Sequence, residues 1–446
     1  MKKIFQYIML AVVTIVMASC TSDIEETTAA TGKSNVQLVV GEFPAFGDSQ
    51  TRTIGTTDPG KTSWAEGDEL LLAMTSKTFG TKYAAFKYNG SSWELASGEL
   101  SYKEDEVPTF PHVYYAPNYK WEAGELVLKE GKVAGTDEYI EGTAYTRNGE
   151  AIIVEFTAAT RKYSRLRIAT MPNKPITVDI NQYTPAGSSD MKCDQNYALT
   201  SDEKGNAYLY GTFENNSEVT VKYRGASLAT HKFSKRTENA KSYALDATVI
   251  SANSAEEIKS AIEQKVADGK TTIRLNLAPN AGTDEFMAIR EAIKGANDEG
   301  TIELTIIGVE TIPEEAFKRM SQLKSVKMPN VKEIKKYAFK ECQYLTVVEA
   351  PSLNKLYSGA FNKCNLLSKL TFGPINYADA RYWQIFEDIT PNIDLILSDY
   401  QKEMIETDDN LYTANNDIDY ADSNKHWNKN FLGREFKSIT CRFKVE

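Results

Sequence analysis

Histidine and cysteine are scarce in this chain, which has three histidines and five cysteines among its 446 residues. His112, His231 and His426 lie far apart in the sequence, and none has the spacing of a metal-binding pair. The chain also lacks the HExxH motif and the nucleophile elbow. The sequence therefore predicts no catalytic residue, no metal site and no cofactor, and it indicates a protein that is not an enzyme.

Positive charge is also in deficit, because 51 lysines and arginines face 61 aspartates and glutamates. The formal net charge of −10 argues against a nucleic-acid partner, which needs a basic surface. Residues 55–62 match a phosphate-binding loop, but no helix pattern follows them. Asp417, Asp419 and Asp422 lack the glycine and glutamate of a calcium loop. Both segments are interpreted as solvent-exposed turns or insertions.

The one long hydrophobic run lies at the N-terminus. A basic start precedes an apolar run over residues 4–16, and small residues followed by Cys20 close the segment. This pattern predicts a signal peptide over residues 1–20, and its end resembles the lipobox of bacterial lipoproteins. The resemblance implies that Cys20 carries the acyl chains of a membrane anchor. The alternative is an ordinary secreted protein that is cut near Ala18.

Residues 21–35 are rich in Thr, Ala and Ser and have no apolar periodicity, which predicts a flexible tether. The acidic cluster at residues 21–26 resembles the surface-export signal of lipoproteins in Bacteroidetes. That resemblance implies an outer-membrane protein that is lipid-anchored and exposed on the cell surface.

Residues 36–252 have the pattern of all-β structure. Short apolar runs alternate with turns, as in the hairpin around Asn89-Gly90. Several short strands at this spacing predict a β-sandwich over residues 36–171.

The first of these regions resembles the opening of fimbrillin-like (Mfa-like) surface proteins. The resemblance lies in Thr51-Arg52-Thr53, in Trp64-x-x-Gly67-Asp68 and in the strand at residues 163–168. It implies two transthyretin-like sandwiches, the second over residues 172–252, and a role in fimbriae or surface adhesion. It also implies proteolytic processing at Arg52, which would release the strand at residues 36–40. The alternative is that Arg52 is only a surface charge at the start of a strand.

A 22-residue period organises the C-terminal part of the chain. The apolar columns in register are Val309/Val331/Leu353, Ile312/Ile334/Leu356, Phe317/Phe339/Phe361, Leu323/Leu345/Leu367 and Val326/Val348/Leu370. A period in the twenties predicts a solenoid, in which each repeat buries its apolar face against its neighbours. The residues Ile334, Ala338, Phe339, Cys342, Leu345, Val348 and Pro351 resemble the BspA-like leucine-rich repeat.

The repeats at 309–373 are predicted to lie within a capped domain over residues 253–446. Ser254 with Glu257 three residues later begins one amphipathic helix, and Thr283 begins a second. Strands near residues 393–397 and 436–440 are expected to close the other end. The fold class is therefore multidomain, with two all-β sandwiches followed by a short α/β leucine-rich-repeat solenoid with caps.

Alternate residues of the repeat strands should point outward. They form two columns and are the candidate binding face: Ser325, Val347 and Lys369 in one, Lys327, Glu349 and Thr371 in the other. Residues 309–372 hold eleven basic and six acidic side chains. This excess either steers an anionic partner such as an acidic protein or sulfated glycan, or is only a solubilising coat.

Cys342 and Cys364 fall in one repeat column, so adjacent strands place them close together. A disulfide is sterically feasible there. We expect reduced, buried thiols that pack as small apolar side chains.

These features predict a cell-surface lipoprotein that acts as an adhesin, or as an accessory or tip protein of a fimbria, and recognises its partner through the leucine-rich repeats. The expected partners are a host or bacterial surface protein or glycan, fimbrial subunits, and the membrane through the lipid anchor. The alternative is a surface glycan-binding lipoprotein of an outer-membrane uptake system. That function needs an exposed aromatic platform, and the sequence does not place Trp93, Trp121 and Trp383 on one surface.

Overall fold

The structure is a computed structural model. It describes residues 37–46, 60–103, 105–147, 151–157, 160–252, 254–296, 298–378, 384–389, 392–400, 430–432 and 434–443. The predicted lipidation site Cys20 and the predicted processing site Arg52 lie outside these residues, as do Trp383, His426 and the three aspartates at 417–422. Across the described ranges the chain is mostly β, with six sheets and two helices.

Ten of the described strands lie between residues 37 and 155. They are β1 (Gln37–Val40), β2 (Glu69–Ser76), β3 (Gly80–Tyr88), β4 (Trp93–Gly98), β5 (Thr109–Tyr115), β6 (Tyr119–Glu122), β7 (Glu125–Leu128), β8 (Ile140–Glu141), β9 (Thr143–Arg147) and β10 (Ala151–Glu155). Eight of them form the first sheet, in the order β8-β5-β2-β3-β4-β1-β10-β9, and β6 and β7 form a separate hairpin.

The first sheet curls round its own core. β8 and β9 are the two edge strands, yet Gly142 alone separates them in the chain, so the edges are brought together. A Cβ atom at Gly142 would lie 2.6 Å from the Phe156 ring, which favours glycine at this corner. β2 is buried on both faces: Leu70 points into the core, whereas Leu71 lies beneath the β6–β7 hairpin.

Seven strands form the second sheet. They are β11 (Ser164–Ala169), β12 (Pro175–Pro185), β13 (Lys192–Thr200), β14 (Asn206–Phe213), β15 (Glu218–Tyr223), β16 (Ala226–Lys232) and β17 (Ser242–Asp246). Their order is β16-β15-β12-β14-β11-β17, with β13 paired to β12. In β12, alternate residues such as Val178 and Ile180 point into the core. β11 belongs to the sequence region assigned to the first sandwich, but it hydrogen-bonds with β14 and β17 of the second sheet.

The buried guanidinium of Arg161 joins the segment after β1 to the chain just before the second sheet. Arg161 is fully buried and contacts Glu138 at 3.1 Å. Its guanidinium also donates to the Pro44 carbonyl and lies 3.8 Å from the centroid of the Phe46 ring. Burial is the main reason that the pKa of Glu138 is raised. These contacts hold residues 43–46 against the body of the protein.

Two helices and three strands precede the repeats. They are β18 (Ile250–Ser251), α1 (Ala255–Ala267), β19 (Thr272–Asn276), α2 (Thr283–Lys294) and β20 (Ile302–Ile307). As predicted, Ser254 is the N-cap of α1, and its side chain accepts a hydrogen bond from the Glu257 N–H at 3.2 Å. The apolar faces of both helices, including Ile262 and Phe286, pack into the same core as the repeats.

The remaining strands belong mainly to the repeats. They are β21 (Thr311–Ile312), β22 (Leu323–Lys327), β23 (Glu333–Ile334), β24 (Val347–Ala350), β25 (Lys355–Leu356), β26 (Lys369–Phe372), β27 (Tyr377–Ala378), β28 (Asp394–Ser398), β29 (Asn430–Phe431), β30 (Arg434–Glu435) and β31 (Ser438–Phe443). An eight-stranded parallel sheet has the order β18-β19-β20-β22-β24-β26-β28-β31, and a four-stranded parallel sheet has the order β21-β23-β25-β27. Strands one repeat apart are therefore neighbours in each sheet.

The repeat phenylalanines form one buried stack. Phe317 and Phe339 have centroids 5.2 Å apart, and Phe339 and Phe361 are 5.5 Å apart with rings only 6° from parallel. The stack continues to Phe386, 5.8 Å from Phe361. Phe386 is 25 residues after Phe361, so a three-residue insertion takes it out of the 22-residue period. Phe286 of α2 packs edge-on against Phe317 and covers the other end.

Residues 315–317 form a tight turn with a left-handed residue. Glu315, Tyr337 and Gly359 occupy the same repeat position and have φ of 56°, 57° and 68°. A left-handed residue does not continue a right-handed helix. The turns pair between repeats instead, since the Phe317 N–H donates to the Ala338 carbonyl at 2.7 Å.

Cys342 and Cys364 are buried free thiols, which confirms the expectation of reduced cysteines. Their Sγ atoms donate to the carbonyls of Phe317 and Phe339, at 2.9 and 3.0 Å. Burial raises the pKa of Cys342 to about 12. The thiols therefore stabilise the stack as neutral donors.

Candidate binding surface

The two predicted columns of outward residues are present on the parallel sheet. Ser325 pairs with Val347 and Val347 with Lys369; Lys327 pairs with Glu349 and Glu349 with Thr371. Lys327 and Lys369 are exposed, and the other four are partly exposed. We call these six residues the strand face.

The same columns are covered at the start of the sheet. Arg274 and Thr305 continue the column of Lys327, but Arg274 Nε donates to the Leu228 carbonyl of the second sheet at 2.6 Å. Ile307, at the end of β20, lies in the core of the second sheet. The open part of the surface therefore begins at β22. The contact between the repeat sheet and the second sheet joins two different kinds of sheet. No periodicity in the sequence therefore predicts it.

Glutamates pair with most of the basic residues of the repeats. Of the eleven basic side chains at residues 309–372, seven form ion pairs: Lys318–Glu315, Arg319–Glu341, Lys324–Glu303, Lys327–Glu349, Lys332–Glu310, Lys335–Glu333 and Lys340–Glu341. Three of these pairs link residues 22 positions apart, so they bridge adjacent repeats. Exposed pairs of this kind each contribute at most about 1 kcal/mol. Most of the positive charge is thus locally compensated, which favours the solubilising-coat interpretation.

Trp93 and Trp121 do not share a surface. Trp93 packs edge-on against Trp64, with centroids 5.2 Å apart, beside the core. Trp121 lies on the opposite face of the sheet, 4.9 Å from Tyr83. Trp121 instead has tyrosine and histidine neighbours from other strands. Trp121 and these neighbours are not close to one another in the chain; the register of the sheet brings them together. The sequence therefore did not predict this cluster.

The ion-binding motifs of the sequence have structural roles where they are described. Lys61 donates to Asp68 and to the Tyr115 hydroxyl, the latter at 2.9 Å, and β2 follows without a helix. His112 is in β5 and His231 is in β16 of the other sheet. In the described part of the chain no group of three metal-ligating side chains occurs. None of the helices there is long and apolar enough to cross a membrane.

β1 occupies an interior position in the first sheet. It pairs in parallel with β10 over four residues, whereas its other neighbour, β4, contributes one residue pair, Leu38 with Trp93. The Trp64 indole N–H donates to the Gly41 carbonyl at 2.8 Å just after the strand. β1 is the one described strand that precedes Arg52 in the chain.

Comparison with known proteins identifies the repeats. Residues 301–397 match the family model of the BspA type leucine rich repeat region, in six copies. This confirms the predicted repeat type and extends it beyond residues 309–373 on both sides. None of the curated proteins matches the chain.

Two solved structures are similar to about half of the chain. A candidate cell adhesion protein from Bacteroides fragilis NCTC 9343 is 11% identical, with a TM-score of 0.27, over 48% of this chain and 92% of that protein. The minor pilin of the pathogen Streptococcus agalactiae is 9% identical, with a TM-score of 0.18, over 48% of this chain and 95% of the pilin.

Proposed function

We propose that this chain, whose C-terminal part carries BspA-type leucine-rich repeats, is a surface-anchored adhesion protein. It binds a protein or glycan of a host or bacterial cell through the strand face. The observation that carries this proposal is the open, in-register pair of columns on a sheet whose underlying core is fully buried. A surface on such a rigid stack is preorganised for binding, because little side-chain or backbone order has to be gained.

The chemistry of the strand face suits recognition of a protein or glycan. Val347 lies at its centre and is flanked by Ser325 and Lys369 along its column. An apolar centre with a polar margin is the usual arrangement of a binding interface. Lys327 and Glu349 lie 3.5 Å apart and are exposed enough to exchange their mutual contact for contacts with a partner.

The rest of the chain supports this surface at a distance from the membrane. In this proposal, Cys20 carries the lipid anchor in the outer membrane and residues 21–35 form the tether. Two fimbrillin-like, transthyretin-like sandwiches at 36–171 and 172–252 follow, and the repeat domain at 253–446 is distal. The two β-sheets that lie between the tether and the repeats in the chain support this order.

A role in a fimbria follows if Arg52 is a processing site. Cleavage there would separate β1 from the rest of the chain. Loss of β1 would expose the edges of β4 and β10, which a strand from a neighbouring subunit could then occupy. An N-terminus at Thr53 in protein isolated from the cell surface supports this step, and Cys20 as the sole N-terminus rules it out.

The adhesion proposal is tested with two matched double variants of the full chain. Val347→Asp with Lys369→Glu changes the strand face. Met287→Asp with Lys294→Glu makes the same charge change on α2, where both residues are exposed. Binding is measured to immobilised host matrix proteins and to bacterial cells. We expect the strand-face variant alone to lose binding; equal binding by both variants and the parent would contradict the proposal.

A further inference from the structure

The face of the first sheet that points away from its core carries aromatic side chains in register. Ala73 of β2 pairs with Tyr83 on one side and with His112 on the other. Leu71, two residues earlier, pairs with Tyr114, which in turn pairs with Glu141. Because paired residues, and residues two apart, project from the same face, these side chains form adjacent rows.

The β6–β7 hairpin adds a tryptophan to these rows. The Trp121 ring lies 4.9 Å from Tyr83, 6.3 Å from His112 and 6.3 Å from Tyr114, centroid to centroid. Tyr139 continues the series, 5.3 Å from Tyr114. His112 is exposed and the other four rings are partly exposed. We call Tyr83, His112, Tyr114, Trp121 and Tyr139 the aromatic strip.

The indole N–H of Trp121 differs in its hydrogen bonding from that of Trp64, the tryptophan beside the core. The Trp64 N–H donates to the Gly41 carbonyl at 2.8 Å. The Trp121 Nε1 is buried and has no acceptor among the described residues. A buried donor without a protein acceptor is uncommon in native proteins.

One end of the aromatic strip borders a cavity between the first and second sheets. The cavity has a volume of about 290 Å³, and Tyr139 and Glu141 form part of its wall. Glu141 pairs with Lys162 at 2.6 Å, so the wall has both charges close together. Thr184, Ser188 and Ser189 also line the cavity.

We propose that the aromatic strip and this cavity together bind a neutral oligosaccharide. The apolar faces of pyranose rings pack on aromatic rings, while sugar hydroxyls need both donors and acceptors. The Glu141–Lys162 pair offers a carboxylate and an ammonium group without net charge, which fits a neutral ligand better than an acidic one. An extended peptide would instead need a free strand edge, and the strip lies on the face of the sheet.

The site is independent of the adhesion function proposed for the repeats. It lies on the first sheet and its border with the second, whereas the strand face begins at β22. The two surfaces can therefore be tested separately in the same full chain.

The experiment probes the full chain with immobilised maltoheptaose, cellohexaose, xylohexaose and mannohexaose, and measures affinity by calorimetry for each probe that binds. We expect Trp121→Ala and Tyr83→Ala each to weaken binding about tenfold, since each removes one stacking ring. Tyr83→Phe keeps the ring and should bind like the parent. Glu141→Gln should weaken binding of the same probe, because it removes the carboxylate from the cavity wall.

Tyr377→Ala is the matched control, because Tyr377 is a tyrosine with 43% exposure in the repeats. Thermal unfolding verifies that each variant is folded. The proposal is overturned if no neutral probe binds, or if Tyr377→Ala weakens binding as much as Tyr83→Ala does. The strand-face double variant should retain saccharide binding; loss of saccharide binding in that variant would place the site on the repeats instead.

Discussion

Gly359 lies directly against the ring of Tyr337 in the preceding repeat. A Cβ atom on Gly359 would be 2.3 Å from ring carbons of Tyr337, and the backbone of Gly359 is left-handed, with φ of 68°. Gly359→Ala should therefore destabilise the repeats by roughly 2–4 kcal/mol, the sum of left-handed strain and a steric clash. Chemical denaturation measures the loss.

Gly269→Ala is the control for that prediction. Gly269 has a similar φ of 71°, but a Cβ atom added there would have no neighbouring atom within 4 Å. It should lose only the backbone part, about 1–2 kcal/mol. Equal losses at both positions would mean that the Tyr337 contact has no energetic effect.

The length of the phenylalanine stack gives a second prediction. Phe386 is 1% exposed and stacks on Phe361, although it breaks the 22-residue period. Phe386→Ala should therefore cost about 3–5 kcal/mol, as much as Phe339→Ala, because both leave a cavity in the same core. Tyr377→Ala, at an exposed position, is the control. A loss for Phe386→Ala no larger than for Tyr377→Ala would show that the stack ends at Phe361.

The buried ion pair between Arg161 and Glu138 gives a third prediction. Arg161→Met leaves the carboxylate of Glu138 buried without its cationic partner, which should cost about 3–5 kcal/mol at neutral pH. Lys235→Met, which removes an exposed pair with Glu238, should cost less than about 1 kcal/mol. Urea denaturation of both variants provides the comparison.

The Arg161→Met loss should depend on pH. Burial already raises the pKa of Glu138 in the folded state, and loss of Arg161 raises it further. A folded-state pKa above the unfolded value stabilises the protein at low pH, and this stabilisation is lost as pH rises through the folded-state pKa. The destabilisation should therefore shrink as the pH is lowered from neutral towards the unfolded-state pKa of glutamate. A loss of stability that does not change with pH would mean that Glu138 is already neutral in the folded protein at neutral pH.

The cysteines differ in their predicted reactivity. Cys342 is buried with a pKa of about 12, so almost no thiolate forms at pH near 8, whereas Cys193 is exposed. Iodoacetamide should modify Cys193 in the folded protein, and Cys342 only after denaturation. Peptide mass spectrometry provides the measurement. Modification of Cys342 under native conditions would indicate that the stack opens locally.

Local signals predicted the repeats and their cap well. Ser254 caps α1, α2 begins at Thr283 as expected, and the columns of the strand face pair in register. Each of these features depends on consecutive or regularly spaced residues, so it can be recognised in the sequence alone. The 22-residue period did not predict the position of Phe386, because a three-residue insertion shifts it out of that period. Its buried environment is nevertheless the same as that of Phe361.

What the sequence by itself determined is therefore periodic: the alternation within strands, the helix caps and the 22-residue step that stacks Phe317, Phe339 and Phe361. Only the tertiary structure decided the pairings between distant segments. In the folded protein, β11 belongs to the second sheet, and that second sheet covers one end of the repeat sheet. Tyr83, Tyr114 and Trp121 also come together only in the folded protein. The physical reason is that a strand's pattern specifies which face is buried, while its partner is selected by the packing of the whole chain.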